Sequence, residues 1–458
     1  MRTPSIACLV ALAVPMLAGA APPPVDPASA ALERHSGRAS GRAVYEHVTI
    51  VDARSPRPRP DMAIVVDGER IARVMPAAAL TDADRAGARI HDGHGRYAIP
   101  GLVDTHQHLG TYPDLPWATA ELTRSVYGGV TATRDMAGDA RVLGDLARSA
   151  WLNLVPAADL YYSALVAGPD FFADPRTWLS TLGATAGAVP WMQAVTPATD
   201  LTIAVAMARG TSATGLKIYA NLDGALVRAL IAEAHRQKFP VWTHLAVYPA
   251  TPFDAVGADA VSHVCMLGRY VLEPGKAAYG HQTEPDYSRL DPSDPVIVRY
   301  GRALAAAGTV LDATLSVYPL AAEAPVPGHP RRCSRELAGR ITATLVREGV
   351  MVSTGTDATA APDDPFPAVH GEIANLVRYA GFTPWQALAA STLNSARVLG
   401  LEHEQGTIEP GKYASFALYE RNPADDVANL KSIVLTVKRG REFPRADYHH
   451  VPIVEPEP

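Results

Sequence analysis

The sequence predicts an α/β protein: a (β/α)8 TIM-type barrel with a small composite β-sandwich domain formed by both chain ends. Three observations predict it. Between residues 99 and 403, short apolar runs alternate with amphipathic stretches eight times, which calls for a parallel sheet and suits a closed barrel better than an open one. Strand-like patterning of period two flanks that region on both sides. Several apolar runs also end in histidine, lysine or aspartate, and a barrel keeps its active site at the C-terminal ends of its strands.

Taken in order, the chain begins with Arg2, the apolar run Ile6 to Leu17 and the small-residue triplet Ala18-Gly19-Ala20. This reads as a signal peptide over residues 1–20, too short to span a bilayer. No cysteine follows the cleavage site, and no later stretch is long and apolar enough for a transmembrane helix. The expectation is an exported protein, periplasmic or extracellular, with no membrane insertion after signal removal. Residues 21–42 are rich in Pro, Ala and Ser and read as a flexible lead-in.

Residues 43–98 and 404–445 are assigned to the composite β domain. Val44 to Val51, Met62 to Asp67 and Arg70 to Val74 alternate as strands, with Asp67-Gly68-Glu69 as a hairpin turn. From the far end come Ser415 to Tyr419, Ser432 to Lys438 and a turn at Arg439-Gly440.

Residues 99–403 form the barrel in this reading. Its strands are Ile99 to Val103, Gly129 to Asp135, Ala157 to Val166, Gly215 to Tyr219, Val241 to His244, Ala260 to His263, Thr309 to Thr314 and Val350 to Asp357. Leu226 to Gln237 and Val296 to Ala307 carry helical periodicity. The last helix starts at Thr383 as cap, with Pro384 at its first position and Gln386 completing a capping box; it runs to about Leu399, with Gly400 as its stop.

A hydrophobic content of 48% is ample for a large core, and a net charge of −6 gives no basic footprint for nucleic acid. A small molecule is the expected partner, and a homo-oligomer is left open. Of the three cysteines, Cys8 leaves with the signal. Cys265 and Cys333 make no framework by themselves and are read as inert or free thiols, although an oxidising compartment would permit them to pair.

The chemistry lies in where the polar residues fall. Strand side chains alternate faces, so His106 and His108 point the same way and can reach one metal ion. Lys217 lies in the fourth strand, His244 ends the fifth, His263 the sixth and Asp357 the eighth. Four imidazoles, a carboxylate and a lysine therefore converge on one barrel mouth. Burying them is costly unless something pairs with them, and a divalent metal pair does so. Imidazole and carboxylate suit Zn best; Mn, Co and Fe also fit. Tyr219, two residues beyond Lys217, faces the lysine's side and is read either as a hydrogen bond to a substrate oxygen or as an ordinary buried tyrosine. Arg134 and Asp135 end the second strand, either paired with each other or touching substrate. His235, His281, His329 and His370 have no partner pattern and read as surface residues.

The stretch Pro100-Gly101-Leu102-Val103-Asp104-Thr105-His106-Gln107-His108 resembles the opening signature of the amidohydrolase superfamily. The later Lys, His, His and Asp fall in that superfamily's order. Asn394 to Leu401 and Gly406 to Ala414 are also similar to it, so the resemblance covers roughly Val44 to Arg441. It implies that His106, His108 and Asp357 bind the more buried metal, and His244 and His263 the more exposed one. It implies that Lys217 is carboxylated by CO2 and that its carbamate bridges two metals about 3.5–4 Å apart. A hydroxide bridging the pair would be the nucleophile, with Asp357 as general base and then general acid. One-metal deaminases and imidazolone-ring hydrolases of the superfamily carry a Glu three residues after the strand-five histidine; here that position is Val247. This favours the two-metal hydrolytic branch, like Xaa-Pro dipeptidases, over deamination.

The loops after the barrel strands shape the substrate site. Phe171, Phe172, Trp178 and Trp191 follow the third strand, Tyr270, Tyr279 and Tyr287 the sixth, and Tyr318, Arg331 and Arg332 the seventh. Aromatic walls with an arginine clamp suit an N-acyl amino acid or a dipeptide-like amide. A lactone, ester or cyclic amide is the alternative for the same hydroxide.

Overall fold

The computed structural model describes residues 39, 41–274, 285–320 and 330–456. The expected signal peptide, Tyr279, His281 and His329 lie outside the described residues. Eight parallel strands form the barrel: β6 (Leu102–Gln107), β7 (Val130–Asp135), β8 (Asp159–Ala167), β11 (Gly215–Ile218), β12 (Val241–His244), β13 (Ala260–Ser262), β14 (Val310–Asp312) and β15 (Val352–Ser353). Each is paired with the next in sequence order. The ring closes where Thr105 N donates to Thr354 O and Asp357 N donates to His106 O, both at 2.9 Å. Two short strands, β9 (Ala188–Val189) and β10 (Met192–Ala194), extend the sheet beside the upper end of β8.

Helices sheathe this ring. The helix Gly224–Arg236 is capped by Asp223, and Pro295–Ala307 by Asp294. Thr383 and Gln386 form the capping box of the helix Pro384–Ala389. That helix widens into a π-helical turn over Ala390–Asn394 before resuming at Ser395–Val398. The turn delivers Ser395 Oγ to Thr354 N at 3.2 Å and Asn394 Nδ2 to Val352 O at 3.1 Å. The Asn394-Ser395 motif is thus a brace for the eighth strand.

The β-rich domain joins both chain ends. β1 (Arg42–Ile50), β2 (Arg59–Asp67), β3 (Arg70–Pro76), β4 (Arg89–Asp92) and β5 (Tyr97–Pro100) combine with β16 (Phe416–Tyr419), β17 (Ile433–Lys438) and β18 (Arg441–Pro444). The strands belong to one hydrogen-bonded sheet in the order β18-β17-β16-β5-β1-β2-β3, with β4 beside β1. The sheet closes on itself: Ile71 N donates to Lys412 O and Ala414 N to Glu69 O. Tyr45, Ile64, Phe416 and Val437 fill the interior.

One boundary moves. The apolar run at Ile99 reads as the first barrel strand, but Ile99 lies in β5 and pairs with Ala417 of β16. Only from Leu102 does the chain enter the barrel, after Gly101 N donates to Ser415 O. A β5 residue and a β6 residue are both fully buried, so apolarity alone does not separate them.

Candidate metal centre

The strand ends bring His106, Lys217, His244, His263 and Asp357 together at one end of the barrel. Ring centroids lie 5.3 Å apart for His106 and His108, 4.9 Å for His106 and His263, and 4.7 Å for His244 and His263. Asp357 Oδ1 is 3.1 Å from His108 Nε2 and 3.5 Å from His106 Nε2, and its Oδ2 is 3.7 Å from His263 Nδ1. His106, His263 and Asp357 each offer a ligand atom within 4.8 Å of the others, a group that could hold a metal ion.

Electrostatics prepare these groups for a cation. Burial pushes His106 and His244 well below the usual imidazole range and His263 down to about 4. They are neutral at physiological pH, which is the ligating form. Burial would raise Asp357, but the neighbouring imidazoles of His106 and His108 hold it well below the usual carboxylate range. Lys217 is fully buried and its Nζ makes no hydrogen bond. Burial, aided by the Arg134 guanidinium, brings it down to about 7. His108 departs from the other three: burial would lower it, but its hydrogen bond to Asp357 shifts it up. An orphaned amine beside the neutral imidazoles of His106, His244 and His263 and an anionic carboxylate fits a site completed by cations.

Residues that sequence reasoning missed hold the donors in place. Asp312, at the end of β14, is fully buried. Its Oδ2 lies 3.1 Å from His106 Nδ1, and its Oδ1 accepts from Thr105 Oγ1 at 2.9 Å. Binding one imidazole nitrogen this way orients the other toward a metal. Asp104 accepts from His106 N and Thr356 N, tying β6 to the loop that bears Asp357. An aspartate ending a strand has no sequence mark distinguishing ligand from brace. Backbone strain is a further mark of the site: Ala137, Asn221, Tyr248, His263, Thr314 and Asp357 have positive φ, each in the loop after a barrel strand. Such conformations cost about 1 kcal/mol or more each and persist where surrounding packing enforces them.

Several expectations are corrected. Arg134 and Asp135 do not pair with each other, because neighbours on a strand face opposite ways. Arg134 Nε donates to Thr105 O at 2.6 Å and its guanidinium stacks on Trp242 at 4.2 Å. Asp135 accepts from Gly110 N and Ala137 N. His370 is buried, not on the surface, with Nε2 2.8 Å from Gly128 O. His235 is exposed beside Asp259. Cys265 and Cys333 are joined by a disulfide, correcting the reading as free thiols.

A cavity of about 210 Å³ opens beside the donors, lined by His108, Tyr219, His244, His263 and Asp357 among others. Tyr219 stands 4.0 Å, centroid to centroid, from His244 and 4.5 Å from Phe171. Phe171, Leu165 and Met192 supply its apolar wall. Trp178 and Trp191 lie off this wall, their indole N–H groups donating to Phe172 O and Ser180 O. Arg331 and Arg332 are exposed and do not line the cavity; the arginine on its wall is Arg176.

The structure thus defines an eight-stranded (β/α)8 barrel with a histidine–aspartate group at its mouth that could hold a metal ion. Residues 97–443 match the family described as "Amidohydrolase family", and the chain belongs to it. It is a hydrolase acting on carbon–nitrogen bonds, in a family that is generally metal-dependent. The chain is 25% identical over 413 residues to an imidazolonepropionase of Cereibacter sphaeroides, covering 80% of this chain and 90% of that protein. A 53% identical stretch of 49 residues matches the imidazolonepropionase of Cupriavidus necator, spanning only 11% of this chain and 12% of that one. Among solved structures, a Xaa-Pro dipeptidase with bound methionine has a similar fold, with a TM-score of 0.67 and 18% identity over 88% of this chain and all of that one.

Proposed function

We propose that this chain is an exported amidohydrolase with a two-metal site, cleaving an N-acyl amino acid or dipeptide-like amide. The observation that carries the reading is Lys217 Nζ, fully buried without a hydrogen bond among the donors. An ammonium cannot ligate a cation. With its pKa brought down to about 7, a large share of Lys217 is neutral amine, which can add CO2 and lose a proton to become an anionic carbamate.

His106, His108 and Asp357 would hold one ion, His244 and His263 the other, with the Lys217 carbamate shared. Imidazole and carboxylate donors suit Zn, with Mn, Co or Fe as substitutes. When bound, such ions acidify water and polarise the scissile carbonyl. Asp357 accepts the proton of the attacking water and returns it to the leaving nitrogen, so amide and water become acid and amine. Tyr219, on the cavity wall, hydrogen-bonds a substrate oxygen. The disulfide between Cys265 and Cys333 supports an oxidising compartment, consistent with export by a signal over residues 1–20.

A cyclic amide, lactone or ester is the second reading. The imidazolonepropionase relatives, which match over most of this chain in one case, favour the cyclic amide.

Elemental analysis of the purified protein and a Lys217→Ala variant tests the site, alongside hydrolysis of N-acyl amino acids, dipeptides and cyclic amides. The expected result is near two metal equivalents in the parent, fewer in the variant, and turnover of linear amides. One equivalent in both removes Lys217 from the site; turnover of rings alone moves the substrate to the second reading.

A further inference from the structure

The cavity carries one charged side chain that no barrel element supplies. Beyond β18, the chain runs back across the barrel. Tyr448 stacks on Tyr127 at 5.2 Å, His450 Nε2 sits 2.9 Å from Pro362 O, and Ile453 packs against the core cluster that contains Leu109 and Trp117. These anchors bring Glu455 to the cavity wall. There its Oε2 accepts from Thr359 Oγ1 at 2.8 Å. Thr359 lies two residues beyond Asp357, so the segment is fastened to the loop that bears the catalytic carboxylate.

The other charged groups on the wall have partners. Asp357 faces the histidines, and Arg176 pairs with Asp174 at 2.7 Å. Glu455 forms no ion pair among the described residues, and its hydrogen bond from Thr359 leaves carboxylate lone pairs free. Leu165, Phe171 and Met192 share the wall with Glu455 and the imidazoles, together with the hydroxyl side chains of Thr111, Thr177 and Ser180. The cavity therefore combines the candidate metal donors, apolar side chains and a carboxylate that is in no ion pair among the described residues.

We propose that Glu455 is a specificity-determining residue that recognises the ammonium group of the substrate. The inference rests on the linear-amide reading and refines it: the favoured substrate is a dipeptide-like amide with a free α-amine, and an N-acylated counterpart is disfavoured. Glu455 is exposed, so its attraction is screened and acts on substrate capture more than on the chemical step.

The test compares L-alanyl-L-proline with N-acetyl-L-alanyl-L-proline on the full-length, metal-loaded protein. Hydrolysis gives KM and kcat, and calorimetry gives Kd, for the parent, Glu455→Gln, Glu455→Lys and Thr359→Val. The expected result is a KM and Kd for the free-amine compound raised about 5-fold in Glu455→Gln, with kcat unchanged and the N-acetyl compound unaffected. Glu455→Lys should reverse the preference, added salt should shrink it in the parent, and Thr359→Val should weaken it by loosening the carboxylate. Equal effects on both compounds, or none on either, overturn the proposal. Cleavage of both compounds without any dependence on Glu455 leaves the linear-amide reading standing and this inference overturned. Glu455-dependent binding of the amine without cleavage does the reverse, and no binding of either compound overturns both.

Discussion

Asp312 Oδ2 lies 3.1 Å from His106 Nδ1, with both side chains sealed from solvent. The pair links the ends of the first and seventh barrel strands and sets which imidazole nitrogen is left to face Asp357.

Replacing that carboxylate should loosen the metal centre without removing a donor. Asp312→Asn is expected to lower metal affinity on the order of 10-fold or more, read by competition with a chelator, while the far-ultraviolet spectrum stays that of the parent. Gly355→Ala should act similarly, because a Cβ there would overlap the Asp312 carboxylate. Unchanged affinity in Asp312→Asn would show that His106 is oriented by packing alone.

The crosslink should matter for stability. Cys265 and Cys333 are 68 residues apart in sequence, and closing a loop of that size restricts the unfolded chain by about 4 kcal/mol in the chain-entropy model. Cys265 begins a helix directly after the His263 loop. Cys333→Ser is expected to cost about 2–4 kcal/mol in urea unfolding, and a reductant should produce the same shift in the parent. A parent insensitive to reductant would mean the two thiols are not bonded.

Acid should weaken the β-rich domain through Glu442. Burial would raise this carboxyl, but Tyr45 OH, 2.8 Å away, and His91 Nε2, 3.0 Å away, hold it down at about 2. A depressed folded-state pKa contributes stability that is complete above the unfolded value near 4.5 and is lost as pH falls toward 2. Glu442→Gln removes that contribution. The parent's advantage over Glu442→Gln in thermal midpoint should be full at pH 6 and shrink steadily from pH 4.5 to 3. A constant difference across that range would exclude the linkage.

Much of the fold was legible because strand and helix periods differ, and because the barrel repeats one unit in order. His106, His108, His244, His263 and Asp357 were legible for a related reason. Each ends an apolar run, and a parallel barrel sends every such end to one face. The boundary at Ile99 was not legible, since Ile99 of β5 and Leu102 and Val103 of β6 lie in one apolar run and only their partners differ. His370 was misread because its burial depends on Gly128, far away in sequence. Arg331 and Arg332 were offered as a clamp on loop position alone, and the cavity wall turned out to carry Arg176 instead.

By itself, then, the sequence determined the alternation of elements, the set of polar residues at the strand ends and the cap at Thr383, all properties of local pattern. Tertiary structure alone decided that Asp312 braces His106, that Cys265 and Cys333 meet at a Cα separation of 6.2 Å, and that Glu455 reaches the cavity from beyond the last strand. Each of these joins residues distant along the chain. Local propensity carries no term for such a contact, and closure of the barrel and of the β sheet creates it.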